Sequence, residues 1–247
     1  MSLVLEGLCK HFDNSEKATL NGIDLEVETG EFVCIVGTSG CGKSTLLNLV
    51  AGLEKPTGGK VLLDGKEVTG PGADRTVMFQ EHGLYPWLSV IDNVKFGMKL
   101  VGVSKEEQEK KAMYYLDMVH LSEYRDYPIH QISGGMKQRT ALARALTMDS
   151  DVLLMDEPFS ALDKQTSNLL REELQRIWME TKKTILFITH SVEESVYLAD
   201  RVVVLSPGTG KIANTIPITL ERPRHVYSPE FVELRHKILE EVRGEEV

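Results

Sequence analysis

The segment Gly37-Thr38-Ser39-Gly40-Cys41-Gly42-Lys43-Ser44-Thr45 satisfies the pattern Gly-x-x-x-x-Gly-Lys-Ser/Thr, and its surroundings constrain the fold more than any other stretch of the chain. It follows FVCIV, Phe32 to Val36, a continuous apolar run of strand length. It precedes STLLNLVAGL, whose apolar residues recur at helical spacing. Strand, glycine loop and helix in that order open a β/α unit. Glycines 37, 40 and 42 let the backbone wrap a phosphate and aim successive N–H groups at it, with the positive end of the helix behind them. Lys43 then reaches the β and γ phosphates as a point charge, and Ser44 gives its hydroxyl to Mg²⁺. A glycine turn that merely caps a helix is the bland alternative, and the full match in its strand-and-helix context disfavours it. Cys41, beside Lys43 and a helix N-terminus, is expected to carry a lowered thiol pKa and to react readily.

A magnesium nucleotide site also needs a carboxylate at the end of a neighbouring strand. Val152-Leu153-Leu154-Met155-Asp156-Glu157 supplies two in a row after four apolar residues. Alternation along a strand points them differently. Asp156 is expected to hold Mg²⁺ through water and Glu157 to polarise an attacking water as general base. Alone, an apolar strand ending in Asp-Glu reads as a loop start; its pairing with the glycine loop gives it chemistry.

The rest of the chain supports an α/β core with a helical insertion. Residues 1 to 36 alternate apolar runs with glycine turns at Asn21-Gly22 and Thr29-Gly30, an antiparallel β start. Residues 58 to 80 return to strand and turn signals, ending in TVMFQ, and helical periodicity takes over from about 90 to 127. There SKEEQEKKAMYYLDMVHL reads as the solvated face of a helix with Ser104 as N-cap. VLLMD and TILFITH are short apolar strands on either side of a helical stretch from about Lys164 to Lys182, the pattern of parallel β/α units. RVVVLSPGTGKIANTIPI reads as a hairpin around Pro207 to Gly210, and PEFVELRHKILEEVR as a terminal amphipathic helix.

Composition removes several functional classes. With 28 Lys+Arg against 37 Asp+Glu the chain carries −9, which argues against broad capture of nucleic acid or an anionic membrane surface. Cys9, Cys34 and Cys41 form no C-x-x-C pair, so neither a disulfide framework nor a zinc site is indicated and a reducing cytoplasm fits. No stretch reaches the roughly 18 to 20 apolar residues of a membrane helix, and MSLVLEGLCKHFD meets charge too soon for a signal peptide. Action at a membrane therefore requires a partner.

Ile132-Ser133-Gly134-Gly135-Met136-Lys137-Gln138-Arg139, with Ser133 lying 24 residues before Glu157, resembles the signature motif of ABC transporter ATPase subunits, usually Leu-Ser-Gly-Gly-Gln. The departures are Ile132 for Leu and Met136 for Gln. The likeness covers nearly the whole chain. It implies a P-loop NTPase (RecA-like) core with an N-terminal antiparallel β subdomain and a helical insertion subdomain. In outline, 1–80 and 151–220 form the nucleotide-binding core, 81–150 the signature subdomain and 221–247 a helical tail. Physically, Ser133 can N-cap the following helix while Gly134 and Gly135 bring bare N–H groups to a phosphate, which the family takes from ATP held by the other subunit. The resemblance further assigns Gln80 to Mg²⁺ and water, Ser160-Ala161-Leu162-Asp163 to a loop crossing the dimer interface, and His190 to the γ phosphate. His190 stands 33 residues after Glu157. Phe12, 25 residues before Gly37, is placed where the family stacks an aromatic on adenine; an apolar core role is its alternative.

These matches imply a homodimer with two ATP molecules sandwiched between each glycine loop and the partner's Ser133 to Gly135 segment, Mg²⁺ included. Closure excludes water and hydrolysis reopens the dimer, biasing a coupled membrane protein. The permease is expected to dock on the Gln80 to Val94 region, where Tyr85, Pro86 and Trp87 fall together in a loop; a patch buried within the domain is the alternative. The chain looks most like the nitrate, sulfonate and taurine importer branch. That branch implies uptake of a small anion, an extracytoplasmic solute-binding protein as indirect partner, a peripheral place on the cytoplasmic face of the membrane, and no nucleic acid. The competing readings are a soluble ABC ATPase not coupled to transport, a small P-loop kinase or GTPase, which leaves Ser133 to Arg139 and His190 unexplained, and a nonenzymatic module, which leaves Glu157 and Lys43 unexplained.

Overall fold

In the computed structural model, residues 1–13 and 17–244 are described, and they fall into two compact units, 1–75 with 151–156 and 181–244, and 76–150 with 157–180. The chain enters the first unit with β1 (Leu3–Lys10), β2 (Leu20–Val27), β3 (Phe32–Val36), α1 (Lys43–Ala51), β4 (Gly58–Leu63) and β5 (Lys66–Glu67). It leaves along β6 (Arg75–Met78) and builds α2 (Val90–Leu100), α3 (Lys105–Met118) and α4 (Gly134–Leu146) in the second. β7 (Val152–Asp156) returns to the first unit and α5 (Lys164–Thr181) belongs almost wholly to the second. The last elements, β8 (Thr184–Ile188), α6 (Val192–Leu198), β9 (Arg201–Leu205), β10 (Ile212–Pro217) and α7 (Pro229–Arg243), complete the first unit.

Burial along each strand explains which sheet it joins. β1 and β2 alternate buried with exposed positions, as half-covered strands do, and they pair antiparallel in the order β2-β1-β4-β5. In β3, β7 and β8 every residue is buried, which demands cover on both faces, and these strands are parallel. The first unit's second sheet runs β10-β9-β3-β8-β7. β9 is parallel to β3, and β10 returns antiparallel as the expected hairpin. α1 packs against β7 and β8, while α6 covers β3 and α7 packs on β9 and β10. Strand order reverses on either side of β3, so its C-terminal end is where ligands settle in open α/β sheets.

The tail is tied down by an arginine that sequence reading passed over. Arg224, 5% exposed, donates to the carbonyls of Val196, Tyr197 and Ala199 at the C-terminal end of α6. Arg222 donates to Leu198 O and Asp200 Oδ1. Burial, with Arg222 beside it, pushes the Arg224 guanidinium down to about 10. In the second unit α2, α3 and α4 pack on one another, each N-capped by a serine, Ser89, Ser104 and Ser133. No helix among the described residues is long and apolar enough to cross a membrane.

Candidate active site

The glycine loop is shaped by contacts that a side chain would break. A Cβ at Gly37 would lie 2.7 Å from Cys41 Sγ and 2.9 Å from Leu205 O; one at Gly42, where φ is 106°, would lie 2.9 Å from Thr19 O. Thr38, Ser39 and Gly40 form the exposed crest of the loop, and Ser44 is exposed at the first turn of α1 while Thr45 is half-buried. α1 has no side-chain cap and no acidic residue in its first turn, whereas α2, α3, α4, α6 and α7 each carry a serine cap. Its leading N–H groups are thus left for an anion. Lys43, 7% exposed, folds back and donates to Gly37 O at 2.9 Å and Thr38 O at 3.0 Å. Cys41 is only 3% exposed, with its Sγ 3.9 Å from Lys43 Nζ. The expectation of a reactive thiol is corrected by that burial, since a reagent cannot reach a sulfur packed inside the loop.

Register brings two more expected residues to the same edge of the sheet. Ile35 of β3 pairs with Ile188 of β8, and Ile188 with Asp156 of β7, so the three strands end in one row. Two strand spacings put Asp156 about 10 Å across the sheet from β3. Asp156 is buried at the strand end, 7% exposed. His190 stands exposed just beyond β8, on a turn fixed by Thr189, whose hydroxyl donates to Glu194 Oε2 at 2.6 Å and accepts from Ser191 N. Phe12 is 39% exposed and lies beneath the Lys10 ammonium, 4.8 Å from the ring centroid, which removes the core alternative. A backbone cradle, a lysine, a hydroxyl and a buried carboxylate are a donor set that fits Mg²⁺ carried on a phosphate chain.

Glu157, next in the chain after Asp156, opens the second group. Its φ is 47°, a left-handed conformation rare outside glycine, and its carbonyl accepts three hydrogen bonds that hold it there. They come from Ser160 N at 3.2 Å, Ser160 Oγ at 3.0 Å and Gln138 Nε2 at 3.1 Å. Gln80 Nε2 donates to Glu157 Oε2 at 3.4 Å. Gln80 does not end a strand as its sequence implied: β6 stops at Met78, and Phe79 and Gln80 are exposed in the following loop. Ser133 caps α4 by accepting from Met136 N at 3.3 Å, with Gly134 in open space and Gly135 half-buried. Asp163 is exposed and accepts from Thr166 N at 3.0 Å, a contact that caps the start of α5 and holds its carboxyl below the usual range.

Two positions on α4 have no role assigned from the sequence: Gln138, inside the signature motif, and Arg144, beyond it. Gln138 is 1% exposed and uses both ends of its amide on the Glu157–Ala161 turn, since Oε1 accepts from Ala161 N at 2.9 Å. Arg144 donates to His82 O at 2.9 Å and Gly83 O at 2.8 Å, and its guanidinium lies 5.9 Å from the Tyr85 ring centre. Asn93 braces the same loop by accepting from Tyr85 N and donating to Tyr85 O. Tyr85 packs on Phe96, while Trp87 is 75% exposed, so the buried-patch alternative fails for Trp87. Beside it lies a groove of about 530 Å³ lined by Leu88, Asp92, Lys95, Phe96 and Lys99.

Residues 20–160 match the ABC transporter family model. An uncharacterized ABC transporter ATP-binding protein of Methanocaldococcus jannaschii is 51% identical, covering 99% of this chain and 92% of that protein. A nitrate import ATP-binding protein of Synechocystis is 49% identical over 92% of this chain and 89% of its own length. Among solved structures, a dimeric ATP-binding cassette in a post-hydrolysis state with ADP and Pi superposes with a TM-score of 0.80 at 29% identity, covering 89% of this chain and all of that one.

Proposed function

This chain belongs to the ABC transporter family, and from that premise we propose that it is the ATP-hydrolysing subunit of an importer for a small anion of the nitrate, sulfonate or taurine kind. It binds ATP with Mg²⁺ and hydrolyses it. The observation that carries the reading is the uncapped helix behind the glycine cradle, with Lys43 in the loop and Asp156 and His190 in the same strand-end row. Lys43 exchanges the Gly37 and Thr38 carbonyls for phosphate oxygens when nucleotide arrives. Ser44, Asp156 and Gln80 are the residues that would hold Mg²⁺, which supplies charge neutralisation between the phosphates. Glu157 orients the attacking water and takes its proton, and His190 contacts the γ phosphate. Phe12 offers its ring face to adenine.

The functional unit is a homodimer in which Ser133, Gly134 and Gly135 of one copy close over the nucleotide on the glycine loop of the other; the dimeric cassette above supports a dimer in general. The permease docks on the Gln80 to Val94 region, a reading supported by exposed Trp87 and the adjoining groove. On this reading the chain sits peripherally on the cytoplasmic side of the membrane. Glu157→Gln tests the core of the proposal: it should retain ATP, nearly abolish turnover and accumulate an ATP-dependent dimer on sizing. A monomer at saturating ATP would sink the sandwich. Copurification from gently solubilised membranes tests the coupling. A multi-spanning protein in roughly equal amount supports transport, and a soluble complex supports an ABC ATPase not coupled to it.

A further inference from the structure

Within the second unit, one buried side chain joins two pieces of machinery that the dimer reading gives to different nucleotides. Gln138 sits on α4, five positions after Ser133, or about 7.5 Å along the helix axis at its ordinary rise. Ser133, Gly134 and Gly135 at the head of α4 serve the ATP held by the partner copy. The amide of Gln138 grips Glu157 O and Ala161 N, the turn carrying the residue that acts on this chain's own ATP. We propose that Gln138 is a positioning residue that couples the two nucleotide sites: it converts engagement of α4 by the partner's ATP into the placement of Glu157. The inference rests on the sandwich dimer described above.

Three features make the link specific. Both ends of the Gln138 amide are used on one short turn, so a rotation or shift of α4 is imposed on that turn at two points. Glu157 is held at φ 47°, a conformation that its carbonyl partners support, and Gln138 is a carbonyl partner from outside the turn. The far end of the turn is anchored separately, where Asp163 caps α5. Between a fixed end and a helix whose head the partner's nucleotide engages in the proposed dimer, Glu157 is the part that must respond. Because only a geometry shared by both copies satisfies both links, ATP at one site favours productive placement of Glu157 at the other. Hydrolysis should then rise steeply with ATP.

Gln138→Met keeps the length and burial of the side chain and removes both hydrogen bonds. Steady-state hydrolysis against ATP concentration, equilibrium ATP binding, and sizing of the same substitution in the Glu157→Gln background together decide the matter. The expected result is a Hill coefficient above 1 in the parent that falls to about 1 in Gln138→Met. A loss in kcat of at least about tenfold accompanies it, since an ångström of misplacement is worth up to about 100-fold. ATP affinity stays within about twofold, and the ATP-dependent dimer still forms. If Gln138→Met does not fold, Gln138→Glu replaces it; the carboxylate still accepts from Ala161 N but cannot donate to Glu157 O, and the same loss of kcat and steepness is expected. Unchanged kcat and Hill coefficient in a variant that dimerises overturns the coupling while leaving the sandwich intact. A hyperbolic parent does the same. Failure of the Glu157→Gln background to dimerise overturns the sandwich itself.

Discussion

Substituting alanine at Gly42 and, separately, at Gly40 distinguishes the two ways a glycine serves the loop. Both have positive φ, 106° and 78°, so an added Cβ strains the backbone at either position by about 1–2 kcal/mol. They differ in space. At Gly42 the new Cβ would lie 2.8 Å from Leu20 Cδ2 and 2.9 Å from Thr19 O; the leucine tip can swing away, but the backbone carbonyl cannot without moving β2. At Gly40 nothing lies within 4 Å. Reduced freedom in the unfolded chain acts at both positions, and overpacking of that kind costs about 1–3 kcal/mol more at Gly42, so Gly42→Ala should lose about 1.5–4 kcal/mol in total. Gly40→Ala should lose about 1 kcal/mol, because reduced freedom in the unfolded chain offsets about half of the strain. Urea unfolding of the two variants and the parent, read as a midpoint shift at constant slope, measures the difference. ATP titration should show the larger loss for Gly42→Ala, whose loop must leave the shape that presents the helix N-terminus. Equal destabilisation by the two substitutions, or a Gly42→Ala variant within about 0.5 kcal/mol of the parent, would refute the steric argument.

Other expectations follow from single contacts. Lys43→Ala should weaken ATP binding by about 10- to 100-fold in a calorimetric titration, the range for losing a charge-assisted hydrogen bond of about 1.5–3 kcal/mol; unchanged affinity would move the phosphates away from this loop. Arg224→Met should lose at least about 2 kcal/mol in urea unfolding, because the α6 carbonyls of Val196, Tyr197 and Ala199 are left buried without their donor. His82, whose Nδ1 is buried with no hydrogen-bond partner among the described residues, has its pKa lowered first by burial and then by Lys137. The unfolded imidazole therefore binds its proton first as pH falls below about 6.5, and stability should drop from there down to the folded pKa. Thermal unfolding between pH 7.5 and 5.5 should show this component in the parent and not in His82→Gln.

Much of the first unit was legible because burial writes itself into strand composition. FVCIV, VLLMD and TILFI have no polar alternate, and that continuous pattern is the mark of strands covered on both faces; all three are parallel neighbours in the order β3-β8-β7. LVLEGLCK and LNGIDLEV carry polar residues among the apolar ones, and they form the antiparallel sheet. The serine caps at Ser104 and Ser133 were readable for a similar reason, since the cap is a local contact between neighbours in sequence. Strand order was not readable: nothing in the residues of β8 states that it lies between β3 and β7.

The site divides along the same line. Residues whose expected chemistry follows from type and spacing, such as Lys43, Asp156 and Glu157, stand out from the sequence, and His190 from the family resemblance, whereas residues that act on a backbone group of another segment do not. Gln138, inside the motif, and Arg144, beyond it, have no evident task until the fold brings Glu157 O to one and His82 O to the other. Six positions apart at 100° each, they project about 120° from one another, so α4 addresses the Glu157 turn from one side and the Tyr85 loop from another. A motif of eight residues thus understates the helix it begins. Its first turn is chemical, but its length is mechanical, and the same rigid element that presents Ser133 also positions both Glu157 and the loop beside Trp87. In the proposed sandwich, nucleotide at the head of α4 therefore has a direct mechanical route to each, with no additional element needed to carry it.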